Sequence, residues 1–188
     1  GATSVDTVIP SSQATEVYAT LDAIEKIHGN LDNFVTKELG YKDNKELFKA
    51  LSAEQVDAVA LAVHQLQNGQ GMIIGDMTGV GKGRIAAGIV RYAVNKGLKP
   101  IFLTEKDNLF SDLYRDLVNI GSGDLKPFIF NSTATANITD ADGRIVHKAL
   151  SEPQKKGIFS ANQIPGHYDF AVATYSQIRS SMDKPSAK

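Results

Sequence analysis

The chain has 188 residues, of which 42% are hydrophobic and 22% are charged, with a formal net charge of −1. This composition is typical of a globular protein with a sizeable core, and no apolar run is long enough to cross a membrane. The absence of cysteine excludes disulfides and thiolate metal sites, and the four scattered histidines have no ligand spacing, so we expect no metal held by protein side chains alone. The near-neutral charge also argues against a domain that grips DNA unaided through a basic face.

The N-terminal quarter of the chain predicts helices. Residues 1–13 have the composition of an arm or an expression remnant, and their pattern does not predict a secretion signal. A helix follows that ends at Gly29, and its apolar stripe consists of Val17, Leu21, Ile24 and Ile27. A second short helix is predicted over residues 31–39. We therefore expect residues 14–50 to form an α-helical extension ahead of the main domain.

From residue 51 onward, helices and strands are predicted to alternate. Ser52 can cap a helix that buries Val56, Val59, Ala60, Val63 and Leu66. Apolar runs predict strands at residues 71–75, 100–104, 127–130 and 169–174. Helices are predicted at residues 82–96 and after Asp107, the second burying Phe110, Leu113, Leu117 and Ile120. Residues 132–168 are polar and weakly patterned. Continuous apolar strands between amphipathic helices predict an α/β fold with a parallel sheet covered on both faces.

The most informative segment carries three glycines and a lysine between a predicted strand and a predicted helix. In order, it consists of Asp76, Met77, Thr78, Gly79, Val80, Gly81, Lys82, Gly83 and Arg84. Glycines at such a junction let backbone N–H groups point at phosphate, and the helix N-terminus adds partial positive charge. Lys82 is the candidate catalytic residue, because its ammonium would reach the β- and γ-phosphates. This loop predicts ATP and Mg²⁺ as cofactors; the alternative is a glycine-rich turn that only packs strand on helix.

Two positions of the loop depart from the usual phosphate-loop pattern. Asp76 stands where the first glycine is expected, and Gly83 stands where a serine or threonine hydroxyl ordinarily ligates Mg²⁺. Thr78 or a water molecule would have to fill that position, and the sequence does not decide between them.

Gln55 has two interpretations. It lies 27 residues before Lys82, where helicase-type ATPases place a glutamine whose amide pairs with adenine. Gln55 is also the third residue after Ser52, which is the spacing of a capping box. Both interpretations stay open at the level of the sequence.

These residues together resemble the start of a superfamily 2 ATPase domain, and most specifically the strawberry notch helicase family. Residues 75–84 read Gly-Asp-Met-Thr-Gly-Val-Gly-Lys-Gly-Arg, and that family also carries glycine after the lysine. Residues 112–117 and 173–176 resemble the same family. The resemblance covers roughly residues 50–178. It implies a partial RecA-like P-loop NTPase lobe over residues 51–188, a three-layer sandwich with a mainly parallel sheet, preceded by the α-helical extension.

The resemblance also implies a nucleic-acid contact after two strands. The residues concerned are Thr104, Lys106, Asn108, Thr174, Tyr175 and Ser176. Hydroxyls and a lysine at the carboxyl ends of strands suit contacts to phosphate. The alternative is ordinary capping, with Asp107 and either Thr174 or Ser176 capping the helices that follow.

The function implied by the resemblance is the ATP-binding part of a helicase-like DNA translocase. Residues 100–106 resemble most the phage and bacterial antirestriction branch, in which such a helicase is joined to a DNA methylase, so we expect a bacterial cytoplasmic or virion-packaged protein. The family's Asp-Glu pair and second lobe are not found in the 188 residues. We therefore expect a fragment that needs the remaining lobes as partners, binds nucleotide weakly and hydrolyses almost none.

Two other functions remain as alternatives. One is a non-catalytic structural or virion module with a vestigial phosphate loop. The other is a small P-loop kinase, which is disfavoured because such enzymes usually begin at the phosphate-loop strand, whereas roughly 70 residues precede it here.

Overall fold

The computed structural model describes residues 3–4, 11–75, 81–161 and 163–182, with residues 11–13 and 180–182 described by their backbone only. The helices in these ranges are α1 (Ser11–His28), α2 (Leu31–Glu38), α3 (Asn44–Ala50), α4 (Ala53–Gln67), α5 (Lys82–Asn95), α6 (Leu109–Asn119), α7 (Glu152–Ser160) and α8 (Tyr175–Met182). The strands are β1 (Ile101–Thr104), β2 (Pro127–Ile129), β3 (Ile138–Thr139), β4 (Ile145–His147) and β5 (Phe170–Thr174). None of the described helices is both long and apolar enough to cross a membrane.

The central sheet has the order β1-β5-β2, and both pairings are parallel. All five residues of β5 are buried, which explains why this strand reads as a continuous apolar run. Residues 132–168, where the pattern is weak, contain the β3–β4 hairpin and α7. The structure therefore confirms the predicted α/β class and is consistent with a RecA-like P-loop fold.

Side-chain caps mark the starts of two helices, α2 and α3, in the helical N-terminal region. Asn30 accepts the N–H of Asn33 at the start of α2 at 3.1 Å, and Asp43 accepts the N–H of Glu46 at the start of α3 at 3.0 Å. Helix α3 was not expected from the sequence, although Asp43 is a good cap. The predicted stripe of α1 is wrong at Ile27, which is 67% exposed.

Arg91 joins the helical N-terminal region to the main domain. Its Nε donates to the carbonyl oxygen of Leu39 at 2.6 Å, and its Nη1 donates to Ser122 Oγ at 2.8 Å. The guanidinium lies 4.2 Å from the centre of the Tyr41 ring, and the Tyr41 hydroxyl donates to the carbonyl oxygen of Ile120 at 2.7 Å. One hydrophobic core runs through both regions, from Ile24 in α1 to Val172 in β5, although the division proposed at residue 50 stays a prediction.

Two expectations in the segment before the phosphate loop are wrong. Leu66, predicted to be buried, is 44% exposed. Residues 71–75 form no strand, and Ile73 is 93% exposed. A parallel strand needs neighbours that accept and donate its backbone hydrogen bonds. In the described part of the chain, the sheet ends at β1 and offers residues 71–75 no such pairing.

Candidate nucleotide-binding site

The second half of the phosphate loop lies at the start of α5. Asp76, Met77, Thr78, Gly79 and Val80 lie outside the described residues, so their predicted roles stay predictions. Gly81 is the N-cap of α5 and has the left-handed conformation, with φ 77° and ψ 44°, which glycine adopts without strain. Lys82 is the first helical residue and its side chain is exposed. The predicted start of this helix at Lys82 is confirmed.

Gln55 links α4 to the loop. Its Oε1 accepts the Ser52 N–H at 3.0 Å, and Ser52 Oγ accepts the Gln55 N–H at 3.4 Å, so the capping box is present. The side chain is only 6% exposed, and its Nε2 lies 2.4 Å from the place that a Cβ on Gly81 would take. Recognition of adenine by Gln55 stays a prediction, and the amide would perform it with its oxygen already engaged in the cap.

Gly83 stands against a carboxylate from another helix. A Cβ at Gly83 would lie 2.0 Å from Oδ2 of Asp116, which is on α6. Burial raises the pKa of Asp116, and the nearby charges of Arg84 and Arg115 oppose that rise. Asp116 was not predicted as a site residue, and only its position in the family-like run at residues 112–117 could have indicated it.

Arg84 is directed toward the helical N-terminal region. Its Nη1 donates to the carbonyl oxygen of Ala50, the last residue of α3, at 3.2 Å. Its charge is also close enough to lower the pKa of Asp116. Arg84 therefore ties the first turn of α5 to α3, and its predicted contact with phosphate stays a prediction.

The residues suggested for nucleic-acid contact meet at one edge of the sheet. Thr104 and Thr174 are register partners at the carboxyl ends of β1 and β5, and both are buried. Thr174 Oγ1 accepts hydrogen bonds from Asn131 Nδ2 at 2.9 Å and from the Gln177 N–H at 3.3 Å, so it caps α8. The remaining four residues are exposed: Lys106, Asn108, Tyr175 and Ser176. These four are available at the edge where open α/β sheets bind ligands.

Two polar side chains near this edge have contacts that were not predicted, and for Asp107 the predicted capping of α6 is wrong. Asp107 makes no side-chain cap for α6, and the N-cap is Asn108. Instead, Asp107 Oδ2 accepts hydrogen bonds from the hydroxyls of Thr133 at 3.1 Å and Thr135 at 2.7 Å.

Lys155 on α7 is only 1% exposed, and its Nζ donates to the Phe130 carbonyl oxygen and to Ser132 Oγ. Burial lowers the pKa of Lys155. Neither position shows any sequence signal for these roles.

Magnesium-bound ATP, the ligand of this class of loop, suits the donors that the described residues offer. The first N–H groups of a helix have no intrahelical acceptor, and glycine at positions 81 and 83 leaves no Cβ in front of them. Lys82 adds an ammonium group, and the Asp116 carboxylate oxygen lies beside the site that lacks a hydroxyl. Nitrogen donors for phosphate and an oxygen for Mg²⁺ are thus present at one helix N-terminus.

The parallel sheet and the glycine–lysine junction at the start of α5 define the class of protein as a P-loop NTPase. A family model described as "P-loop containing NTP hydrolase pore-1" matches residues 32–184, and the chain belongs to this family.

Several curated relatives support the resemblance drawn from the motifs. The chain is 31% identical over 125 residues to "Protein strawberry notch homolog 1" of Gallus gallus and 30% identical over 126 residues to the Homo sapiens protein of the same name. It is 35% identical over 96 residues to "Protein strawberry notch" of Drosophila melanogaster. These matches cover 63%, 63% and 47% of this chain, but only 10%, 9% and 6% of the relatives. The chain thus spans a tenth or less of their length. No solved structure matches it.

Proposed function

We propose that the chain binds magnesium-bound ATP at the start of α5 and forms part of the ATP-hydrolysing lobe of a helicase-like DNA translocase. The observation that carries the proposal is the junction itself: a left-handed Gly81 followed at once by Lys82 and the first turn of α5. Lys82 and the N–H groups of that turn hold the phosphates, and Gln55 on α4 reads the adenine base. When bound, Mg²⁺ supplies neutralising charge to the phosphates.

Calorimetric titration of magnesium-bound ATP into the chain at low salt tests the proposal. Lys82→Ala removes the ammonium group at the phosphates, whereas Lys45→Ala removes the same charge from an exposed position on α3. We expect saturable binding in the wild type and in Lys45→Ala, and weakening by about tenfold or more in Lys82→Ala, because a charge-assisted contact is worth about 1.5–3 kcal/mol.

Two outcomes would contradict the proposal. Equal binding by Lys82→Ala and wild type would place the nucleotide elsewhere. No binding by the wild type would favour the structural module with a vestigial loop. Thermal unfolding of each variant serves as the control for folding.

We further propose that Lys106, Asn108, Tyr175 and Ser176 contact the DNA backbone. Their support is exposure at the carboxyl edge of the parallel sheet, next to the strands β1 and β5. Fluorescence anisotropy of a labelled oligonucleotide at several salt concentrations tests this. Lys106→Ala should weaken binding irrespective of base sequence and reduce the salt slope by about 1, with Lys45→Ala as the matched control. Identical slopes for both variants would refute the contact.

Finally, we propose that the protein takes part in the protection of phage or bacterial DNA inside the cell or from within a virion. The resemblance of residues 100–106 to antirestriction proteins is its support. Expression of the chain together with the remaining lobes in a restricting bacterial host should raise the plating efficiency of unmodified phage, and Lys82→Ala should remove the gain. An unchanged efficiency would count against this role.

A further inference from the structure

The glycine at position 83 has no backbone explanation. Gly81 requires a left-handed φ of 77°, but Gly83 lies within α5 and is not among the glycines with positive φ. Glycine inside a helix costs about 0.8–1.0 kcal/mol relative to alanine. The explanation must therefore come from the space that a side chain at position 83 would occupy.

That space is taken by the Asp116 carboxylate. Its Oδ2 lies 2.0 Å, and its Cγ 3.0 Å, from the position of a Cβ on Gly83. In the usual phosphate loop, the residue after the lysine carries a hydroxyl one bond beyond that Cβ, and the hydroxyl ligates Mg²⁺. A carboxylate oxygen of α6 thus stands next to the place of the missing hydroxyl oxygen.

Arg84 and Arg115 are close enough to influence the Asp116 carboxylate, but each makes its polar contact elsewhere. Arg84 donates to the Ala50 carbonyl oxygen, and Arg115 pairs with Asp112 on its own helix. Within the described part of the chain, the Asp116 carboxylate accepts no hydrogen bond and forms no ion pair within 4.0 Å with either arginine. A partly buried carboxylate in this state has its oxygens available for another positively charged group.

We propose that the Asp116 carboxylate replaces the phosphate-loop hydroxyl and contacts the Mg²⁺ bound with ATP, directly or through one coordinated water. Mg²⁺ takes oxygen ligands and is commonly held by one or two carboxylates together with the phosphates of the nucleotide. In this proposal the oxygen for that position comes from α6. This inference rests on the proposed function, because it assigns a ligand within the same nucleotide site.

The test compares the affinity for ATP with and without Mg²⁺. Calorimetry gives the dissociation constant of ATP in excess EDTA and in excess Mg²⁺. The ratio of the constant in EDTA to the constant in Mg²⁺ measures how strongly the metal supports binding. Asp116→Asn keeps the shape of the side chain and removes the charge. We expect it to lower the ratio by about tenfold or more. ATP alone should bind the variant at least as well as the wild type, since a negative charge beside the phosphates is removed. Asp124→Asn, an exposed position just after α6, should leave the ratio unchanged.

A second variant protects the test against misfolding of the first. Gly83→Ser combined with Asp116→Ala restores the hydroxyl and clears the space it needs, so the ratio should return toward the wild-type value. Electron paramagnetic resonance of Mn²⁺ with ATP provides an independent readout, because the fraction of protein-bound Mn²⁺ should follow the same order.

The outcomes separate this inference from the proposed function. ATP binding whose Mg²⁺ ratio is the same in wild type and Asp116→Asn would overturn the inference alone. A purely structural role for Asp116 would change both dissociation constants in the same direction and leave the ratio intact, which also overturns it. No binding of ATP to the wild type under either condition would overturn the proposed function and this inference together.

Discussion

Asp57 lies on α4 in an acidic environment that makes it the clearest target for a stability measurement. The side chain is partly buried, and burial is the largest cause of a pKa raised from 3.8 to about 6. The negative charges of Asp32, Glu54 and Glu25 raise it further, in that order. Replacing the carboxylate by the amide in Asp57→Asn removes the charge and nearly conserves the volume, and asparagine and aspartate have similar helix propensities.

The magnitude follows from the pKa. A rise from 3.8 to about 6 corresponds to about 3 kcal/mol, at about 1.36 kcal/mol per pH unit. Because part of the Asp57 side chain reaches solvent, screening reduces this value, and we expect about 1–2 kcal/mol. The folded state holds the proton more tightly than the unfolded chain does. Asp57 therefore does not destabilise the folded state below pH 3.8, and its destabilising effect develops as the pH rises through about 6 and the carboxyl group ionises.

Urea unfolding at several pH values between 4 and 8 tests this reasoning. At pH 7.5, Asp57→Asn should unfold with a free energy about 1–2 kcal/mol above that of the wild type, and the two should converge near pH 4. Asp22→Asn, at an exposed position on α1, is the matched control and should show no such pH dependence. A destabilised Asp57→Asn, or a difference that does not change with pH, would refute the assignment.

Three further substitutions test individual contacts in the fold and at the site. Arg91→Lys should lower the free energy of unfolding by about 2–3 kcal/mol in urea titrations, because an ammonium group cannot reproduce the forked hydrogen bonds and the ring contact. A loss no larger than that caused by replacing an exposed arginine would contradict the role of Arg91 in joining the two regions. Gly81→Ala should lower the melting temperature more than Gly69→Ala. Both glycines have positive φ, but only a Cβ at Gly81 would clash with the Gln55 amide. Equal decreases in melting temperature would show that the Gln55 amide can move away. Lys155→Met should cost about 1–3 kcal/mol, because the partly buried Phe130 carbonyl oxygen and Ser132 Oγ lose their ammonium donor, whereas the exposed Lys156→Met should be nearly neutral. Similar values for the two variants would show that these hydrogen bonds do not stabilise the fold.

Local signals predicted the helices well because their causes are local. Ser52 and Gln55 form the expected capping box at the start of α4, and Gly97 follows α5 with φ 75°. The buried stripe Phe110, Leu113, Leu117 and Ile120 of α6 is also confirmed. In each case the decisive residues lie within a few positions of the helix end or on one helical face, so that neighbouring elements hardly matter.

The apolar sequence pattern was not sufficient to predict strands, because strand formation depends on pairing with neighbouring strands. Residues 71–75 and β5 both read as apolar strands, yet β5 lies between two partners and Ile73 is 93% exposed. Apolar composition indicates that a segment suits burial on both faces, but a strand also needs neighbours for its backbone groups. Asp107 failed as a cap for a similar reason: Thr133 and Thr135, far along the chain, take its carboxylate.

The site shows the same division between local and distant causes. The loop motif could be predicted from consecutive residues. The reason why glycine occupies positions 81 and 83 could not, because it lies in contacts with other helices. Gly81 is needed both by its left-handed backbone and by the Gln55 amide of α4, whereas Gly83 is needed only by the Asp116 carboxylate of α6. The departure from the usual motif at Gly83 thus follows from a residue 33 positions further along the chain. A motif search that scores each loop position separately counts Gly83 as a loss, while the structure pairs it with an oxygen beside the same place. With Asp116 as the contact to Mg²⁺, the motif at this position is a pair of residues on two helices, and substituting either one alone should uncouple the metal from the nucleotide.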